Sequence, residues 1–258
     1  MKLRLERRGR VRLIAIVALA GVVVAMVLPP LRQPQSYHHF ADERTLLGIP
    51  NFFNVASNGA YLVIGLWGLI FLARKRAANG QGRFITAGER WPYAVFFFGV
   101  LLTCFGSGYY HWKPDDATLV WDRLPMTLAF MSLLAATVVE RISVVTGLRL
   151  LWPLVAAGAA SVWWWQRTGN LWPYAAAQYW SIVLMVLMFV LFPPRYTRTV
   201  DLVYATGLYA LGKVAEALDG NIYDLTHCVG GHALKHLITA LAPLWILRML
   251  MKREAVSL

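Results

Sequence analysis

The sequence predicts an all-α membrane protein, a bundle of helices crossing the bilayer several times, and three observations carry that prediction. Of its 258 residues, 58% are hydrophobic and only 15% charged, against roughly 25% charged in a soluble domain, and the mean hydropathy is +0.52. Apolar runs of about 20 residues, the length that spans the hydrocarbon core, recur along the chain. The connections between them are short and basic. The net charge of +12 would suit a nucleic-acid partner only if it were gathered on one face. Here the lysines and arginines fall in small clusters between apolar runs, the habit of membrane proteins, and nucleic acid is set aside. Cys104 and Cys228 both lie in apolar segments, so neither a disulfide framework nor a cysteine-rich metal knuckle is available.

Eight runs follow in order. The first, 12–29, has a basic start and resembles a secretory signal. Its apolar stretch is longer than a signal core, and Leu28-Pro29-Pro30 lacks a small-x-small cleavage pattern, so a retained anchor helix is expected. Run 52–73 stops at Arg74-Lys75-Arg76. Run 91–112 starts after Arg90 and closes on His111-Trp112, and 118–139 ends before Arg141. Run 149–165 ends in Trp163-Trp164-Trp165, which with Trp172 and Trp180 suggests an aromatic belt at the outer interface. Run 173–193 is stopped by Pro193-Pro194; 200–217 and 226–250 complete the set. No linker is long enough to separate two folding units, and no repeat is evident.

Orientation follows from the basic residues. With a cytoplasmic N-terminus and eight alternating helices, eighteen fall on the cytoplasmic side: Lys2, Arg4, Arg7, Arg8, Arg10, Arg12, Arg74, Lys75, Arg76, Arg83, Arg90, Arg141, Arg149, Arg195, Arg198, Arg248, Lys252 and Arg253. Five lie opposite, namely Arg32, Arg44, Lys113, Arg123 and Arg167, while Lys213 and Lys235 sit within helices. That bias makes both termini cytoplasmic. It is the pattern of a bacterial inner membrane, with the far side periplasmic.

Ionisable groups inside apolar helices are costly and ask for a reason. Three groups stand out: Ser107 and His111 at the end of the third run, Asp122 at the start of the fourth, and His232 and His236 opening the eighth. The topology places all of them at one depth, near the non-cytoplasmic face. His232 and His236 are four residues apart and share a helix face, with Cβ atoms about 5–6 Å apart, so both can address one metal ion. His111 supplies a third nitrogen. Three histidines and an open position match a catalytic zinc site, which activates water near neutral pH. Asp122 is then placed to act as general base, and Ser107 lies one turn before His111.

Each feature alone has a plainer reading. His-x-x-x-His serves interhelical hydrogen bonding, Asp122 pairs with Arg123 or Lys113, and Ser107 between two glycines reads as close packing. The shared depth and the ligand spacing favour the metal.

At these residues the chain resembles the alkaline ceramidase family, within the membrane hydrolases that also include the adiponectin and progestin receptors. The matching segments are Ser107-Gly-Tyr-Tyr-His111, Asp122 in Trp-Asp-Arg-Leu-Pro-Met, His232-Ala-Leu-Lys-His236, and Asn54-Val-Ala-Ser57-Asn58 in the first core helix. The resemblance implies a seven-helix ceramidase-like domain over 40–258, preceded by a basic N-terminus, anchor helix and outer loop over 1–39. It implies zinc on His111, His232 and His236, with Asp122 contacting the reacting water and Ser107 assisting. The expected function is hydrolysis of the amide of a ceramide-like N-acyl lipid taken from the bilayer. A non-enzymatic receptor of the same fold and a haem- or metal-binding membrane protein are the alternatives. Animal ceramidases of this type also bind calcium through an acidic stretch before the first core helix. This chain has only Asp42-Glu43 there and Asn51 where a carboxylate is usual, which argues against calcium. Asp42 and Glu43 read as solvated loop charges, and His38, His39 and His227 as exposed. Lys213 and Glu216 are expected to neutralise each other, with Glu216, Asp219 and Asp224 as an alternative outer layer around the histidines.

Overall fold

A computed structural model describes residues 6–74 and 83–256. Lys2, Arg4, Lys75 and Arg76, which enter the charge count, lie outside the described residues. The fold is all-α, with no strand among the described residues beyond two isolated bridges, Leu46–Ile49 and Tyr196–Ala255.

The helices are α1 (Arg7–Val27), α2 (Phe52–Ala73), α3 (Arg90–Trp112), α4 (Asp116–Arg141), α5 (Val144–Thr168), α6 (Trp172–Leu191), α7 (Val200–Ala217), the short α8 (Asp219–Thr226) and α9 (Gly231–Lys252). Seven of them are long and apolar enough to cross a membrane. The eighth expected span, α7, has the expected bounds but carries Asp201, Lys213 and Glu216, and falls short of that apolar level. It is nevertheless a full member of the bundle, packed along α9. The last run starts late, because residues 219–226 form α8 and His227 takes a left-handed conformation that ends it.

Local chemistry explains several boundaries. Asp115 caps α4 by accepting from the Thr118 amide at 2.7 Å, and the Thr118 hydroxyl answers in a capping box. Gly169, at φ 70°, closes α5 as a left-handed cap. Helix α2 is interrupted at Ser57-Asn58, between the α-helical pieces Phe52–Ala56 and Gly59–Ala73. Helix α6 contains a π-helical stretch, Ala176–Trp180, of the kind that often marks a functional site.

The helices pack in the succession α7–α9–α2–α3–α4–α6, with α5 also against α4 and α1 against α6. Helices α3 and α4 approach closely at Gly106, where a Cβ would overlap the Trp121 carbonyl oxygen. Helices α7 and α9 do so at Gly231, where a Cβ would overlap the Ala215 carbonyl. Apolar side chains such as Ile16, Leu19, Val63 and Val190 point outward around the bundle, and Val190 is 77% exposed. That much outward apolar surface suits lipid better than water.

The two ends of the bundle differ. At one end lie the start of α1, the end of α4, and the end of α9. Arg7 donates to the Ile142 carbonyl, Arg253 pairs with Glu140, Arg195 with Glu89, and Arg198 and Arg248 with Asp201. The opposite end holds the histidines. The aromatic belt needs revision: Trp163 and Trp164 are exposed, but Trp165 is buried beneath Arg123, and Trp180 donates to the Val17 carbonyl of α1 at 3.0 Å.

Candidate metal centre

His111, His232 and His236 converge, all buried, with one ligand atom from each lying within 4.8 Å of the others. The Nε2 atoms of His111 and His236 are 3.2 Å apart. Two nitrogen ligands on a tetrahedral ion at ~2.0–2.1 Å would stand about 3.3–3.4 Å apart, so the spacing of this pair is compatible with a shared metal ion.

The surroundings orient the rings. Ser57 donates its hydroxyl hydrogen to the Asn54 carbonyl at 3.1 Å, so its oxygen is left to accept from His236 Nδ1 at 2.9 Å. That places the proton on Nδ1 and frees the Nε2 lone pair, the usual arrangement of a ligating histidine. Ser57 and Asn58, at the interruption of α2, both face His236 of α9. Asn51 donates to the His111 carbonyl at 2.9 Å. The backbone of His232 is fixed by Asp219, which accepts from its amide at 2.8 Å and from the Ala41 amide at 2.9 Å. Asp219 thereby caps α9, whose own N-cap residue is Gly230. Lys235 lies 2.8 Å from His232 Nε2 and donates to Glu216 at 2.8 Å. Lys213 also pairs with Glu216, as expected, so one carboxylate holds two ammonium groups. Asp224 is exposed and outside this arrangement.

Phe40 covers the centre from the loop side, its ring 4.9 Å from His111 and 4.7 Å from His232. Two of the loop assignments are corrected here. Asp42 is 2% exposed rather than solvated, held by a two-pronged pair with Arg44 at 2.8 Å. That hydrogen bonding keeps its carboxyl below the usual aspartate range. His38 is nearly buried and bonds Tyr110 at 3.1 Å and Asp116 at 3.2 Å. Glu43, His39 and His227 are exposed as read from sequence.

Beside the centre lies a cavity of about 350 Å³, within the range of ~300–1,000 Å³ for ligand pockets. His236 lines it, with Ser107 and Asp122, whose side chains lie near each other. The close approach at Gly106 is what brings them together. Polar groups occupy the histidine end, including Tyr37, Lys213, Glu216 and Lys235, while Phe96, Leu133, Phe189, Leu202 and Ile246 line the other. From Ser107 back to Phe96 is eleven residues of α3, roughly 16 Å of rise. The cavity is thus a polar head joined to a long apolar slot. Compared with models of known protein families and with curated proteins, the chain matches none.

Proposed function

We propose that this protein is an integral-membrane zinc hydrolase that cleaves the amide bond of an N-acyl lipid, releasing a fatty acid and an amine. The observation that carries the reading is the junction of a buried three-histidine centre with the Ser107–Asp122 pair at the head of an apolar slot. The donor set supports zinc: three imidazoles, at least one oriented to offer Nε2, and polar space beside them for a substrate. A porphyrin between His111 and His236 is disfavoured, because their nitrogens are already in contact.

Zinc, when bound, supplies Lewis acidity that polarises an acyl carbonyl and makes nearby water easier to deprotonate. The chain's residues supply the rest. The slot takes the acyl chain and fixes the amide at its polar head. Asp122 takes the proton of the attacking water and returns it to the departing amine nitrogen, so that water and amide become acid and amine. Ser107, beside Asp122, is placed to donate to its carboxylate and steady it. Glu216 pairs with both Lys213 and Lys235 and holds the two ammonium groups beside the polar head. By the distribution of basic residues, the histidine end faces the non-cytoplasmic side.

The test is metal content together with turnover. Purified protein should hold close to one zinc per chain, and the His232→Ala/His236→Ala double variant should hold none. Asp122→Asn should keep the zinc but lower fatty-acid release by ~10²–10⁴-fold, with Ser107→Ala losing less. Zinc retained in full by the double variant, or undiminished turnover in Asp122→Asn, would sink the reading.

A further inference from the structure

Arg123 is 4% exposed and lines the polar head of the cavity. Its guanidinium lies 3.9 Å from the centre of the Trp165 ring and 4.7 Å from that of Tyr174. Nη2 donates to the Gln33 side chain, a neutral acceptor. Nη1 is buried with no hydrogen-bond partner, and no carboxylate among the described residues forms an ion pair with Arg123. Asp122 is its chain neighbour, but successive helix positions point about 100° apart, and Asp122 lies beside Ser107.

A buried cation without a contacting anion is expensive, and two aromatic faces recover only part of the loss. The neighbouring cations are differently placed. Lys213 and Lys235 share Glu216, and Arg253, equally buried, has Glu140. Among the described residues lining the cavity, Arg123 is the cation without an ion-pair partner.

We propose that Arg123 is a subsite for an anionic oxyacid group, a carboxylate or phosphate ester, carried by the amine portion of the lipid. The amine side is assigned because Arg123 stands at the level of Asp122, away from the apolar slot that takes the acyl chain. That assignment rests on the hydrolase reading, whereas the anion subsite itself does not. Planar guanidinium donors are well matched to either acid.

The experiment uses the purified full chain in nonionic detergent and three amphiphiles of one acyl length: N-palmitoylglycine, N-palmitoyl-O-phosphoethanolamine and N-palmitoylethanolamine. Binding is read by quenching of tryptophan fluorescence. One of the two anions should bind about 10- to 100-fold more tightly than the neutral amide, and the tighter one identifies the acid. Arg123→Gln should bring all three within about threefold, with the neutral amide unchanged as a check on folding. If that variant does not fold, Arg123→Lys carries the test. It keeps the charge but loses the fork, and should weaken the preference without touching the neutral amide. A wild type with no preference for either anion, or a preference undiminished in the variants, overturns the subsite. Palmitate release from the same amphiphiles is scored separately. Anion-selective binding without release removes the hydrolase reading and leaves the subsite standing.

Discussion

Replacing Ser57 by alanine tests whether the interruption of α2 exists to orient a ligand. The Ser57 hydroxyl is the acceptor for His236 Nδ1 at 2.9 Å, and the side chain is half-buried. The other neighbour is the Asn58 side-chain amide, whose nitrogen lies 3.5 Å from the same ring nitrogen and donates to the Asn54 carbonyl at 2.7 Å. With the hydroxyl gone and the Asn58 amide oriented as it is, the imidazole proton has no acceptor. A buried N–H left unpaired costs about 1–3 kcal/mol, and ~1.4 kcal/mol is tenfold in binding. Zinc affinity in Ser57→Ala should fall about 10- to 100-fold, the range seen for such outer hydrogen bonds. Ser57→Thr, which keeps the hydroxyl, should stay near wild type. The assay is competition for zinc against a chromogenic chelator. An unchanged affinity in Ser57→Ala would refute the tautomer assignment and with it the proposed role of His236 Nε2.

Other outcomes follow from the same geometry. Reporter fusions at Asp115 should read external and at Arg195 cytoplasmic; a cytoplasmic reading at Asp115 would overturn the orientation of the centre. The Asp42–Arg44 pair lowers the folded pKa of Asp42 below its ordinary value of 3.8, so its contribution is present above that value and is lost as pH falls through the lowered one. The thermal stability gap between wild type and Asp42→Asn should accordingly be full near neutral pH and close at strongly acid pH; a gap that does not change with pH would refute the pairing. Gly231→Ala sets a methyl against the Ala215 carbonyl, and should destabilise the protein by about 1–3 kcal/mol in thermal unfolding as α7 and α9 are pushed apart. A neutral effect would mean the helices are free to separate.

Much of this was readable from the residues because the bilayer imposes a length. Runs 52–73 and 200–217 coincide with α2 and α7, and the others fall within five residues of their helices at either end. The three histidines, Ser107 and Asp122 could be gathered from spacing and helix direction alone. The loop 31–51 was less legible. Nothing periodic distinguishes a buried His38 or Asp42 from a solvated one, since their burial depends on Tyr110, Asp116 and Arg44 being folded against them. Ser57 and Asn58 were visible as polar residues in an apolar run, but their role required the break in α2. Lys235 was seen only as a charge within a helix. Its closeness to His232 follows from a three-residue spacing that could have been noticed.

Asp219 has a mechanical consequence. One carboxylate holds the amide of Ala41, next to the Phe40 ring that roofs the histidines, and the amide of His232 within the centre. The roof and one wall therefore hang from the same hinge pin. Lifting Phe40 away from the histidines strains the pin, and a strained pin loosens the first turn of α9. Opening and disassembly of the histidine cluster become a single linked equilibrium. Whatever pulls the loop outward weakens the hold on a metal, and whatever fills the centre latches the loop shut.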